Sequence, residues 1–335
     1  MVIGAAAATM LAGNAHAFVI VPTFDNSLAS NANAAALEAA INTAVGTIDG
    51  LYSNPGTIKV LFEFNSAVLG QTQNGESFVT YSQYTARLAA DSAAHPNNTV
   101  LATAVANLSH GNTGDWVLGT TAYLRVGLGF SGAGTTPCFN SSGGFVAACN
   151  AVFDAIVTIG NVSTASGGAG KNSQAVSVVE HELNEVLGGG GGGTTIGLNY
   201  SAFVTGVAIG PIDPYRYQST KPDCSGVDST PSYTTNANAV ACYSIDGGVT
   251  SLVQMNQAGG GSDYGDFATT SPNIPYIQDA FYPGTTDIYS TSSPEYVMQE
   301  SIGYNGLPEP STIALLLGAV GGLGWTRRRR LATVA

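Results

Sequence analysis

The chain has 335 residues and a formal net charge of -12, and only 10% of its residues are charged, against about a quarter in an average domain. Four of the ten basic residues are Arg327 to Arg330; the body keeps Lys59, Arg87, Arg125, Lys171, Arg216 and Lys221. So acidic a body excludes nucleic acid and anionic membrane surfaces from the expected partners, and its length suits one large domain or two small ones.

In chain order, "MVIGAAAATMLAGNAHAF" is apolar and carries an A-x-A signal at Ala15 to Ala17. Residues 1–17 are therefore expected to be a signal peptide, although no Lys or Arg precedes Lys59. "AFVIVPTFDNSL" reads as a strand entering a loop, and "NANAAALEAAINTAVGTIDGLY" as a helix, with apolar residues three and four apart. "TIKVLFEF" alternates and is β-branched, hence a strand. "YSQYTARLAADSAA" and "TVLATAVANL" predict two more helices, "AYLRVGLGF" and "FDAIVTIGN" two more strands. A helix is expected from about Ser173 to Leu187, followed by six glycines, Gly188 to Gly193. The rest is loop-rich, with short strand signals such as "YSIDGG", and closes on a helical stretch, "SPEYVMQESIGY". These elements predict an α+β fold: a mixed sheet, one motif-bearing helix and a loop-rich C-terminal half.

The four cysteines form two close pairs, Cys138 with Cys149 and Cys224 with Cys242. Four cysteines allow three pairings; the local one closes two short loops and suits an oxidising compartment. The end, "LPEPSTIALLLGAVGGLGWTRRRR", puts Pro308-Glu309-Pro310 before an apolar run, Ile313 to Trp325, and then four arginines. The run is shorter than the ~20 residues of a standard span, and the arginines would stay cytoplasmic. This order of parts resembles the PEP-CTERM sorting signal of Gram-negative bacteria. The resemblance implies an exosortase as partner, cleavage near the motif, and delivery to the envelope or an extracellular matrix. The chain is thus expected to comprise a signal peptide (1–17), a body (18–305) and a sorting signal with a short transmembrane segment (306–335).

The chemistry centres on "VVEHELNEVLGGG". Val176, Val179, Leu183, Val186 and Leu187 form one apolar stripe of the helix. His181 and Glu185 are four apart, one turn above the other and about 40° apart around the axis. H-E-x-x-H places two metal ligands this way, with the intervening Glu polarising a water. A Glu oxygen is an acceptable ligand, binding zinc at about 2.0–2.2 Å. Acids on a helix face are also common without a metal, and Glu180 is one more.

Beyond the motif helix, "TFDNSL", "AAALEAAINTAV", "TIKVLFEF", "YSQYTARLAADS", "IDPYRY", "YSIDGG", "GGGSDYGDF", "QDAF" and "ESIGYN" resemble exported bacterial proteins related to metzincin-like zinc metalloproteases. One branch of these reads H-E-x-x-E-V-L-G. The resemblance implies a zincin-like fold, zinc as cofactor, His181 and Glu185 as metal ligands, Glu182 as general base, and Gly188 as the glycine of H-E-x-x-H-x-x-G. The family's third histidine falls on Gly191, and no histidine follows His181. Asp213 in "IDPYRY" is the candidate third ligand; Asp246, Asp263 and Asp266 sit in Gly-rich turns, where Asp often bonds its own backbone. Met298 falls where the family's helix ends beneath the site, and a buried core methionine reads equally well. His95 and His110 read as surface or turn residues. No G-x-S-x-G nucleophile elbow and no phosphate-binding G-K-[ST] loop occurs.

Two readings follow: an exported zinc-dependent peptidase, and a non-catalytic envelope or matrix protein on a degenerate protease scaffold. One histidine and two carboxylates suit Mn²⁺ or Ca²⁺ as readily as Zn²⁺. Peptides and an extracellular polysaccharide matrix are the expected partners. A cleft lined by uncharged side chains is expected, and it would fit an apolar or neutral peptide.

Overall fold

The computed structural model describes residues 19–108, 116–131, 138–139, 145–146, 153–198, 206–257, 263–268, 276–281 and 286–307. The expected signal peptide, the PEP motif with its apolar tail and arginines, His110, Cys149 and the side chain of Cys138 lie outside these residues. Among the described residues no helix is long and apolar enough to cross a membrane.

The fold is mixed α+β. It opens with β1 (Val19–Phe24), the short α1 (Asn26–Ala29), α2 (Ala34–Asp49) and β2 (Thr57–Phe64). Asp25 starts α1 by accepting from Leu28 N–H, satisfying one of the helix's orphan donors. β1 and β2 pair in parallel, Val19 opposite Thr57 and Phe24 opposite Phe62, so α2 must cross over the sheet between them. β3 (Gly70–Asn74), β4 (Glu76–Thr80), α3 (Tyr81–Ala94), α4 (Thr99–Ala106) and β5 (Trp116–Thr120) follow. Next come the two-residue strands β6 (Cys138–Phe139) and β7 (Phe145–Val146), and then β8 (Ala155–Ile159). The main sheet runs β1-β2-β8-β3, with β8 parallel to β2 and β3 antiparallel at the edge.

Alternation along β2 sends Ile58, Val60 and Phe62 to one face, where they bury against Leu37, Ile41, Ala44 and Ile48 of α2. Leu61 points the other way and joins Ile156 and Phe153 in a small second cluster. Each such side chain contributes about 1.5–3 kcal/mol when fully buried.

α5 (Gln174–Val186) lies across this core, touching α2, β8 and β3. Ser173 caps its start by accepting from Val176 N–H, and Gly188 ends it with φ +81°, the left-handed C′ conformation expected of a glycine. The C-terminal half then carries β9 (Ala208–Ile209), β10 (Arg216–Ser219), β11 (Val227–Pro231), β12 (Ala241–Tyr243), β13 (Val253–Met255) and α6 (Pro294–Ser301). β10 to β13 form an antiparallel sheet, order β11-β10-β12-β13, tied by a disulfide between Cys224 and Cys242 with Cα atoms 6.0 Å apart. The Cys138–Cys149 pairing falls outside the described residues.

One expected strand is a helical turn instead. Tyr123–Gly127 of "AYLRVGLGF" winds as a π-helical turn. The strand at this place is β5, just before it, which pairs antiparallel with β4 and parallel with β9. Thr120 Oγ1 then accepts from Tyr123 N–H at 3.1 Å and starts the turn. Winding also carries the Tyr123 ring into the core, where its hydroxyl donates to Ile302 O at 2.6 Å. A second orphan carbonyl at the end of α6 is met in the same way, by Tyr215 OH donating to Ser301 O at 3.0 Å, while Tyr243 OH lies 2.7 Å from the Ser301 hydroxyl. Three tyrosines from three elements thus close on one helix end.

Candidate metal centre

α5 presents its apolar stripe to the core and its polar side to a cavity of about 740 Å³. The cavity is bordered by Val68 to Thr72 of β3 and its approach, by His181, Glu182 and Glu185 of α5, and by Asp263, Asp266, Ile277 and Asp279 from the C-terminal half.

His181 is fixed at both ring nitrogens. Nδ1 lies 2.9 Å from Ile277 O. A carbonyl can only accept, so in the neutral ring Nδ1 carries the hydrogen, and the Nε2 lone pair faces the carboxylates. Nε2 stands 3.6 Å from Glu185 Oε1 and 3.9 Å from Asp266 Oδ1. One ligand atom from each of His181, Glu185 and Asp266 lies within 4.8 Å of the other two. This donor set, one imidazole nitrogen and two carboxylate oxygens, fits a divalent metal ion. The carbonyl behind His181 is the kind of outer partner that orients a metal-binding histidine.

Asp213, the expected third ligand, is not part of this group. Its carboxylate is fully buried and accepts from Thr194 Oγ1 (2.6 Å), Thr195 N (3.0 Å) and Gly210 N (2.7 Å). It pins the chain after the glycine run. Asp246 likewise bonds its own turn, accepting from Val249 N and Thr250 N. Asp266, read from sequence as a turn residue, is the acid that reaches His181.

The glycines explain how it does so. A Cβ on Gly190 would lie 2.1 Å from Gln278 Nε2 and 3.1 Å from Asp266 Oδ1. One on Gly191, the place of the family's third histidine, would lie 2.4 Å from Asp263 Oδ2 and 2.8 Å from Glu185 Oε1. Gly265 packs its Cα onto Gly190 O, where a Cβ would sit at 1.8 Å. Bare backbone on both sides lets the 263–266 turn come in beside the motif helix. That turn is held from outside itself: Asn256 N donates to Asp266 O at 2.8 Å, Asn256 Nδ2 to Asp263 O at 3.0 Å, and the buried Arg216 guanidinium to Tyr264 O.

Gln278 was invisible to sequence reasoning except as part of "QDAF". Its Nε2 donates to Asp266 Oδ1 at 2.8 Å and lies 3.3 Å from His181 Nε2. Its own orientation is set by Asn184 Nδ2, which donates to Gln278 Oε1 at 2.7 Å, and Asn184 is in turn held by Gln299 of α6 at 2.6 Å. Met298, also on α6, is fully buried; a Cβ on Gly189 would lie 2.9 Å from its Cε.

Glu182 stands beside the group. Thr72 of β3 donates its hydroxyl to Glu182 Oε2 at 2.6 Å. Gly70 is what lets the strand lie so close, since a Cβ there would come within 2.3 Å of Glu182 Oε1. Burial, only partly offset by His181 and Thr72, pushes the Glu182 carboxyl up to about 6. Burial likewise pushes Glu185 up to about 8, Asp266 to about 6 and Asp279 to about 8. Desolvation alone would lower the His181 ring, but Asp266, Glu185 and Glu182 outweigh it and hold the ring well above its usual range. Acids that keep protons and a histidine that gains one report the same field: the cluster attracts positive charge, whether protons or a metal ion. Glu180 faces away, wholly buried, accepting from Asn172 Nδ2 at 2.6 Å. His95 sits on the exposed end of α3, paired with Asp91 at 3.0 Å.

The expectation of an uncharged cleft is overturned, since five carboxylates border this one cavity. No family model, no curated protein and no solved structure matches the chain.

Proposed function

We propose that the protein is an exported, metal-dependent peptidase on a zincin-like frame. His181, Glu185 and Asp266 hold a zinc ion, and Glu182 acts as general base. The observation that carries the reading is the convergence of three donor atoms within 4.8 Å on the wall of a cavity, with a third carboxylate, Glu182, beside them. When bound, the ion supplies Lewis acidity to a carbonyl oxygen and to an attacking water.

The chain's own groups do the remaining work. Thr72 occupies Glu182 Oε2 and leaves the other oxygen to take a proton from water and return it to the leaving amine. β3 lies at the sheet edge beside the cavity, so an extended peptide could add to it as a further strand. The sorting signal at the C-terminus supports handling by an exosortase and residence in the envelope or matrix, and the disulfide suits such a compartment.

Metal analysis of tag-free protein tests the reading. About one zinc per chain is expected, lost in Glu185→Ala and kept in Glu182→Gln, with peptide hydrolysis lost in both. A folded wild-type chain that takes up neither zinc nor manganese would favour the non-catalytic scaffold, with matrix or polysaccharide as its partner.

A further inference from the structure

The cavity has more carboxyl groups than the proposed metal and base require. An ion would offset Glu185 and Asp266, and Glu182 serves as base. Asp263 and Asp279 remain on the same walls with no such task.

Among the described residues no Lys or Arg borders the cavity. The undescribed segments between residues 19 and 307 contain none in their sequence. The six basic residues of the body are elsewhere: Arg125 pairs with Asp154, Lys171 with Asp287, Arg87 lies over Phe130, Arg216 holds Tyr264 O, and Lys59 and Lys221 are exposed. Asp279 is only 5% exposed, yet it faces the cavity. Its one hydrogen bond among the described residues is from Tyr276 N to Oδ2, at 3.2 Å, and nothing donates to Oδ1. A carboxyl oxygen with no donor among the described residues, on the wall of an open cavity, is free to accept from a cationic group that a ligand brings in.

Part of the lining is aliphatic. Val68, Leu69, Val178 and Ala280 line the cavity, and Leu69 is 42% exposed. An aliphatic wall leading to a buried acid matches a side chain with a methylene stem and a charged head. A divalent metal would gain nothing from the apolar wall, and a neutral side chain nothing from the acid.

We propose that the cavity takes a lysine or arginine side chain of the substrate peptide, its stem along Val68, Leu69 and Ala280 and its charged head at Asp279, with Asp263 drawing it in. This rests on the reading of the site as a peptidase. Asp279 is then the specificity-determining residue.

The test uses the full chain loaded with zinc and four peptides differing at one position: lysine, arginine, norleucine or glutamate. We expect kcat/KM at least tenfold higher for lysine or arginine than for norleucine, and lower still for glutamate. Asp279→Asn should bring the lysine-to-norleucine ratio near one, chiefly through KM, and Asp279→Glu should restore part of it; circular dichroism and zinc content confirm that the variants are folded and loaded. Zinc-loaded Glu182→Gln should show the same order of peptide affinities by calorimetry. Equal rates for lysine and norleucine, or a folded Asp279→Asn that keeps the preference, overturns the inference and leaves the peptidase reading standing. A wild-type chain that takes up no zinc sinks the peptidase reading instead. Calorimetry on that metal-free chain then decides alone: tighter lysine than norleucine binding sustains the cation subsite, and equal binding removes it.

Discussion

α5 and the turn from Asp263 to Asp266 border the same cavity and hand it acids in equal measure, but they are held in place by opposite means. The helix fixes His181, Glu182 and Glu185 by its own backbone ladder, with Ser173 at one end and Gly188 at the other. The turn has one internal bond, Asp266 N to Asp263 O at 3.3 Å, and otherwise hangs on Asn256, Arg216 and the bare backbone of Gly190. Half of the site is therefore a local structure, and the other half exists only when distant parts of the chain have come together. Substitutions should separate the two halves.

Arg216 gives the largest expected effect. It is fully buried, props the turn at Tyr264 O and is the charge beside Asp213. Arg216→Met should destabilise the fold by about 3–5 kcal/mol, as expected when one partner of a buried charge pair is removed. Denaturant titration measures this, with metal affinity falling further than the helix signal does. Loss of the Cys224–Cys242 bond comes next. Its 18-residue separation predicts about 3 kcal/mol, and hydrogen exchange should show β12 and β13 opening before α5.

Asp266 and Asp213 then make a paired test. Asp266→Asn should weaken zinc binding on the order of 100-fold. Asp213→Asn should leave zinc binding unchanged and lower the melting temperature, because its oxygens serve Thr194, Thr195 and Gly210. Equal loss of zinc in both would mean the turn and the glycine run act as one unit.

The smallest effect is expected in the helical layer, far from the turn. Burial pushes Asp49 up to about 6, against the lowering by its bond from Ile20 N. The folded state thus binds a proton more tightly than the unfolded chain, so this group's contribution to stability falls as pH rises from about 4 through 6. Asp49→Asn removes that fall and should gain about 0.5–1 kcal/mol at pH 7, a figure discounted for partial exposure. Thermal melts at pH 4 and pH 7 compare the two.

The same division decides what could be read from the sequence. The short α1 reads as loop and β8 shows as a wholly buried β-branched run, whereas α2, α5 and β2 announce themselves by period. So do His181 and Glu185, whose spacing is the helix's own. β3 does not: "GQTQN" has no apolar alternation, because Gly70 and Thr72 are there to meet Glu182 and not to fill a core. "YLRVG" alternates like a strand but winds, because Thr120 and Ile302 claim Tyr123. Asp213 and Asp266 look alike in sequence, each in a turn; what separates them is which partners fold over them. Gln278 and Asp279 had no signal of their own beyond a short resemblance.

The tyrosine-capped end of α6 has a consequence in time. Tyr123, Tyr215 and Tyr243 need acceptors at residues 301 and 302, and Asn184 needs Gln299. A chain emerging N-terminus first therefore carries a motif helix with empty bonds behind it until residues 299 to 302 have emerged as well. The backing of the candidate site is completed only when those late residues arrive, long after its helix has been made.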